Sequence, residues 1–241
     1  MIQDTMLGDM FEIWFSSQSQ LSKVERWGRF RENNPDLRKQ STEDHQYSVC
    51  LAILPVLIKL KEYYFNHLNT ELVKDAFILH DLPEGFLEQE KDISSVSKKS
   101  HHDLEEHNAF CKKILHFKKN DKFIYDYYMK AYLLQFCHKD DQYLSVFPES
   151  SMEVIKNIRI AHPYEVSLFP ALEQWEYLFY AYEGYIDKQD ISIFVNVLRN
   201  QVPNLQKHAK NIHGFREVVF PIHFEEKLLS FMNEYSHVER V

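Results

Sequence analysis

The chain has 241 residues, enough for one sizeable domain or two small ones. It holds only 5 glycines, far below the usual ~7% share, which disfavours a turn-rich β fold, and its aromatic richness argues against extensive disorder. A formal charge of -8 with no long Lys/Arg block offers no face for a nucleic-acid polymer.

The opening MIQDTMLGDMFEIW has no basic stretch ahead of an apolar core, so no secretory signal is expected. The longest apolar stretch, VCLAILPVLI, is about half of what a bilayer needs, and it contains a proline. The expectation is a cytoplasmic protein with no membrane partner. Val49, Ala52, Ile53, Val56, Leu57 and Leu60 repeat at three-and-four spacing, which predicts a helix kinked at Pro55. Val73, Ala76, Phe77 and His80 share one face of the next helix, so His80 looks inward, and Pro83 and Gly85 stop it. The polar stretch EKDISSVSKKSHHD reads as a loop. Further helices are predicted near 103–118, 122–138, 151–161, 171–187, 190–200 and 223–236, with FREVVFPI as a short extended piece. The fold class expected is all-α, one helical domain with a C-terminal helical extension. Cys50, Cys111 and Cys137 are scattered without a CxxC pair, which suits packing in a reducing compartment rather than disulfides.

The pair His80-Asp81 closes the run VKDAFILHD, and His45 stands 35 residues earlier in STEDHQYSV. Two imidazoles and a carboxylate on neighbouring helices can hold one divalent metal with a position left open. An ion held that way makes a hydrolytic water near neutral pH. Nitrogen and oxygen donors together suit Mn, Fe, Co, Ni or Zn better than Ca, which prefers oxygen alone. Elsewhere the readings are plainer. SHHDLEEH, with His101, His102 and His107, begins a polar helix and reads as a solvated charged face, and YDYYMKAYLLQF reads as core.

Four ordered segments, ERWGRFR, STEDHQYSV, LHDLPEGFLEQEKDI and SLFPALEQWEYLFYAYEGY, span about Glu25 to Tyr185. Together they resemble the HD-domain metal-dependent phosphohydrolases, which are helical proteins. Within that family they resemble the branch that removes phosphate from deoxyribonucleoside 5'-monophosphates. The resemblance implies an HD-like bundle over 1–190, with 191–241 as the extension packed on the same domain. It implies His45, His80 and Asp81 as metal ligands, and Glu173 as the fourth ligand where the family carries aspartate. Glu84 would orient or deprotonate the attacking water. Asp92 would contact the sugar and assist the leaving 5'-oxygen, with Glu88 and Glu90 as rivals in a loop longer than the family's. Arg26 beside Trp27 would hold the phosphate, since a guanidinium meets phosphate oxygens two at a time; Arg29, Arg31 and Arg38 lie nearby. AHPYE resembles the loop before the last ligand helix, so His162 either lines the pocket or ends a helix.

The function implied is hydrolysis of a small nucleotide, foremost a nucleoside 5'-monophosphate. Two alternatives stand beside it. One keeps the site and changes the substrate to a triphosphate, an alarmone or a cyclic nucleotide. The other is a catalytically silent binding or assembly module, because glutamate replaces aspartate at 173. The aromatic-rich helices from 122 to 136 and 172 to 186 suit either a core or a homodimer interface.

Overall fold

The computed structural model describes residues 20–24, 26, 40–64, 67–87, 99–188 and 191–239. Among them every regular element is helical, so the chain is all-α. In order these are α1 (Thr42–Tyr64), α2 (Thr70–Leu79), a 3₁₀ turn (Leu82–Phe86), α3 (Ser100–Asn120), α4 (Lys122–Leu133), α5 (Asp141–Leu144), α6 (Glu149–Ala161), α7 (Pro163–Lys188), α8 (Ile191–Asn211), α9 (Phe215–Val218) and α10 (Ile222–Glu234). A second 3₁₀ turn, Leu134–Phe136, follows α4 directly. No helix among the described residues is long and apolar enough to cross a membrane.

Short polar side chains start several of these helices. Asp121 accepts a hydrogen bond from the Ile124 amide at 3.1 Å and opens α4. Asp140 does the same for Tyr143 at 2.7 Å and opens α5. Each satisfies an amide that the first turn leaves without a helical partner. Helices α7 and α8 both run through an internal proline, Pro170 and Pro203, and so exceed the bounds read from the sequence. The residues around each proline are core: Leu168, Phe169, Ala171 and Leu172 in α7, Val202 and Leu205 in α8. Burial of both flanking turns outweighs the lost backbone donor.

FREVVFPI is not extended. Phe215–Val218 is a single helical turn entered through Gly214, whose φ of 75° is left-handed. The Phe220 amide then closes onto the Phe215 carbonyl at 2.9 Å. Phe215 and Phe220 are both fully buried, whereas in a strand their odd spacing would put them on opposite faces.

The chain divides into two compact units. The first holds residues 20–26, 40–50 and Glu71–Pro163; the second holds Leu51–Thr70 and Tyr164 onward. In the first unit α3 packs on α4 and on the 3₁₀ turn, and α4 packs on α6. Val73, Ala76 and Phe77 of α2 and Phe110, Ile114 and Phe117 of α3 are all buried in this unit. Tyr132 of α4 stacks on Phe110 at 4.0 Å between ring centres. In the second unit α8 packs on α9 and α10, and Phe194, Tyr185 and Phe231 form an aromatic cluster with ring centres 5.0–5.6 Å apart. Residues 191 onward belong wholly to this unit. The apolar face read for α1 is present in Val49, Ile53, Leu57 and Leu60, all buried, while Ala52 and Val56 are half-buried.

Candidate metal centre

The centre lies in the first unit, where α1 begins and α2 ends. Ser41 and Asp44 form a reciprocal cap at the start of α1: the Asp44 amide donates to Ser41 Oγ at 3.1 Å, and the Ser41 amide donates to Asp44 Oδ2 at 3.1 Å. This fixes the first turn and with it His45, whose amide donates to the Ser41 carbonyl at 3.0 Å. Just ahead of the cap, the Thr42 amide bonds the Val24 carbonyl and the Arg26 amide bonds the Gln40 carbonyl, both at 2.9 Å. That pairing carries Arg26 alongside the entry to α1.

His80 follows the last residue of α2 and continues its ladder, donating its amide to the Ala76 carbonyl at 2.9 Å. Its ring nitrogen Nδ1 lies 2.8 Å from the Phe77 carbonyl. A carbonyl oxygen can only accept, so Nδ1 carries a proton, and Nε2 is the nitrogen with which a neutral ring could ligate. Two side-chain amides take up carbonyls where α2 ends: Gln46 donates to Ile78 at 3.2 Å and Gln135 to His80 at 3.4 Å. Asp81 then turns the chain with φ -95° and ψ -3°, in the sparsely occupied bridge region.

The result is convergent. Asp81 Oδ2 lies 3.2 Å from His80 Nε2 and 3.4 Å from His45 Nε2. One ligand atom from each of the three residues lies within 4.8 Å of the others. Both imidazoles are buried, and the Asp81 carboxylate exposes 11% of its surface. Two imidazole nitrogens and one carboxylate oxygen, with a tautomer fixed from behind by a backbone carbonyl, fit a divalent transition metal. Arg26 Nη1 also reaches Asp81 Oδ2, at 2.9 Å.

Glu84 is placed by the 3₁₀ turn that Pro83 starts, its amide donating to the Asp81 carbonyl at 3.1 Å. Its carboxylate is buried and accepts the Thr42 hydroxyl on Oε2 at 2.9 Å. Of the residues read from the sequence, the structure brings together His45, His80, Asp81 and Arg26, with Glu84 tied to the same two segments through Thr42 and the Asp81 carbonyl. Glu173 is half-buried on α7, in the second unit. His162 ends α6, its amide on the Ile158 carbonyl at 2.8 Å. Trp27, Asp92, Glu88, Glu90, Arg29, Arg31 and Arg38 lie outside the described residues.

Thr42, Gln46 and Gln135 went unread in the sequence. Thr42 carried a local signal, since the capping motif STED places it one residue inside the helix. Nothing local marks Gln135.

The reading of SHHDLEEH as a solvated face requires correction. Asp103, Glu106 and His107 are buried. The signal was available: stepping back from Phe117, Ile114 and Phe110 by three or four residues lands on His107, Glu106 and Asp103. Tyr143 donates its hydroxyl to Asp103 Oδ2 at 2.6 Å, and His107 Nε2 meets Ser151 Oγ at 2.8 Å. Burial pushes the His107 imidazole down to about 4, so it is neutral near pH 7. The three cysteines are free thiols. Burial holds Cys111 up at about 11 and Cys137 at about 12, which leaves neither a ready nucleophile at neutral pH.

No protein-family model, no curated protein and no solved structure matches the chain.

Proposed function

We propose that the chain is an HD-type metal-dependent phosphohydrolase of small nucleotides, foremost deoxyribonucleoside 5'-monophosphates. The observation that supports this is the meeting of His45 Nε2, His80 Nε2 and Asp81 Oδ2 around one point in the first unit. Those three atoms would hold a divalent Mn, Fe, Co, Ni or Zn ion. When bound, such an ion acidifies water and polarises a phosphoryl oxygen.

The chain's own groups have separate tasks in this reading. The Phe77 carbonyl keeps the His80 ring in the tautomer and orientation that present Nε2. Glu84 takes the proton of the attacking water, and the Thr42 hydroxyl holds its carboxylate in one orientation for that purpose. Arg26 binds the phosphate dianion; a guanidinium has five N–H donors, so it can hold Asp81 and an anion together. The nucleotide preference, and the role of Asp92 toward the sugar, rest on the sequence resemblance alone.

The test is a phosphate-release screen of the purified full chain over nucleotides, each with Mn, Co, Zn and Mg, alongside metal analysis of the same sample. Release that depends on a transition metal and disappears in His45→Ala supports the reading. A well-folded wild type that takes up no transition metal ends it.

A catalytically silent binding or assembly module is the competing reading. It is favoured by the contact of Arg26 with Asp81, which gives that carboxylate a cationic partner from the chain itself. Self-association would then use α7, where Phe179, Tyr182 and Ile186 are exposed at helical spacing.

A further inference from the structure

A groove of about 400 Å³ opens in the first unit between α2 and α4, and no residue of the His45 centre lines it. Ile78 and Leu79 of α2 and Ile124 of α4 give it an aliphatic lining. Phe123, Tyr127 and Tyr128 of α4 add three aromatic rings. Asp75 is the one charged group among the described residues that line it, and its side chain is largely covered, at 21% exposed. Asp75 Oδ2 accepts the Tyr127 hydroxyl, while Oδ1 lies 3.6 Å from Lys74 Nζ, beyond hydrogen-bond reach. Lys74 is itself paired with Glu71, so two carboxylates face one ammonium and this end of the groove keeps a net negative charge. Lys122 and Asp126, the other charges on the same stretch of α4, pair with each other and cancel.

From this arrangement we infer that the groove binds a small quaternary ammonium compound, its methylated cation held by the Tyr127 and Tyr128 rings beside the Asp75 carboxylate. The face of an aromatic ring carries partial negative charge and attracts a cation within about 6 Å of the ring centre. The Tyr127 and Tyr128 ring centres are 6.5 Å apart with their planes at 69°, so one cation can lie within reach of both. Each ring is held in place. Phe117 stacks on Tyr128 at 5.8 Å between centres, and the bond to Asp75 anchors Tyr127. Phe123 stands one turn before Tyr127 on α4 and is 80% exposed, an aromatic ring left in water that bound methyl groups would cover.

The lining selects among ligands. A primary ammonium has three donors to satisfy, and the groove offers it one carboxylate that already accepts from Tyr127. A quaternary ammonium donates nothing and asks only for charge, ring faces and apolar surface for its methyls. An uncharged molecule of the same shape would cover the Asp75 carboxylate without compensating it, and an anion would be repelled. The volume is that of a small-molecule site. Burial, and the hydrogen bond to Asp75, hold the Tyr127 hydroxyl well above its ordinary pKa, so it remains the donor at neutral pH. The inference is independent of the phosphohydrolase reading.

The test is isothermal titration of the full-length protein with choline and, separately, with 3,3-dimethylbutan-1-ol, in which carbon replaces the charged nitrogen. Choline should bind saturably, and the uncharged isostere at least about tenfold more weakly. Asp75→Asn keeps an acceptor for the Tyr127 hydroxyl and removes the charge, and Tyr127→Leu removes a ring. Each should weaken choline binding by at least about fivefold. Tyr127→Phe keeps the ring and should bind within about threefold of the wild type. Phe179→Leu, which removes an exposed ring from α7 in the second unit, should leave the affinity unchanged. Far-ultraviolet circular dichroism checks that every variant is folded. The site is overturned if choline does not saturate, if the isostere binds as well, or if Asp75→Asn or Tyr127→Leu retains wild-type affinity. An equal loss in Phe179→Leu would overturn it too.

Discussion

The Thr42 hydroxyl donates to Glu84 Oε2 across 2.9 Å, in a place where Thr42 is fully buried and Glu84 nearly so. This bond ties the first turn of α1 to the 3₁₀ turn after Asp81, and so holds together the two segments that carry His45 and His80. Thr42→Val keeps the shape and removes the donor from a buried carboxylate. A loss of about 1.5–3 kcal/mol is expected, the range for hydrogen bonds to charged groups. Urea unfolding at pH 7 measures it, and an unchanged midpoint would show that the bond contributes nothing.

His80 and Asp81 test the donor set directly. Asp81→Asn removes the carboxylate charge, and His80→Gln removes the ring nitrogen aimed at Asp81 Oδ2. Under the phosphohydrolase reading, each should lower the content of bound divalent metal from near one equivalent to below about a tenth, corresponding to more than a tenfold loss of affinity. Elemental analysis after dialysis gives the number, and far-ultraviolet circular dichroism checks that the helices remain.

Arg26 offers a split between charge and geometry. Under the phosphohydrolase reading, Arg26→Lys keeps the positive charge but loses the planar fork. The expected result is a KM for nucleoside monophosphate raised by roughly tenfold with a smaller change in kcat, as for loss of uniform binding. Steady-state kinetics would refute the role if kcat/KM were the same in Arg26→Lys and wild type.

His107 makes a pH prediction whose sign follows from burial. Its folded-state pKa of about 4 lies below the ordinary value of 6.5, so between those values the unfolded chain binds the extra proton. The stabilising contribution is complete above pH 6.5, fades as pH falls, and is gone below about 4. A shift of that size corresponds to about 3 kcal/mol. His107→Gln, which cannot titrate, should show a smaller fall in urea midpoint between pH 7 and pH 4.5 than the wild type. Parallel curves for the two proteins would remove His107 from the acid response.

In the second unit Arg199 of α8 donates to the Val238 carbonyl at 2.8 Å and to the Ser236 carbonyl at 3.1 Å. These carbonyls lie just past the end of α10, and the guanidinium gives them a charged donor. Arg199→Ala should cost about 2 kcal/mol, in the range for charged hydrogen bonds. Protease cleavage in the last turn of α10 should also become faster, which limited proteolysis with mass spectrometry would detect.

Much of the architecture could be read from residue order because it depends on local periodicity. The scarcity of glycine and the three-and-four spacing of apolar residues led to an all-α chain, and His45, His80 and Asp81 were found because their order is a pattern along the chain. The proline-interrupted helices α7 and α8 could not be bounded this way, since burial on both sides of Pro170 and Pro203 decides whether a helix survives the missing amide. Asp103, Glu106 and His107 differ, because the three-and-four spacing did place them on the apolar face and only their polar partners lay out of reach. Their polarity suggested solvent, but the helix face they share with Phe110 and Ile114 is turned into the core, where Tyr143 and Ser151 supply partners from distant parts of the chain.

Sequence by itself determined the helical class, the donor atoms available for a metal and the turn residues that stop α2 at His80. Only the tertiary structure decided that His45 meets Asp81, that Thr42 holds Glu84, and that Met129 meets Cys111. Those relationships join residues up to 42 positions apart, and a contact across that distance depends on how helices pack, which no window of neighbouring residues contains.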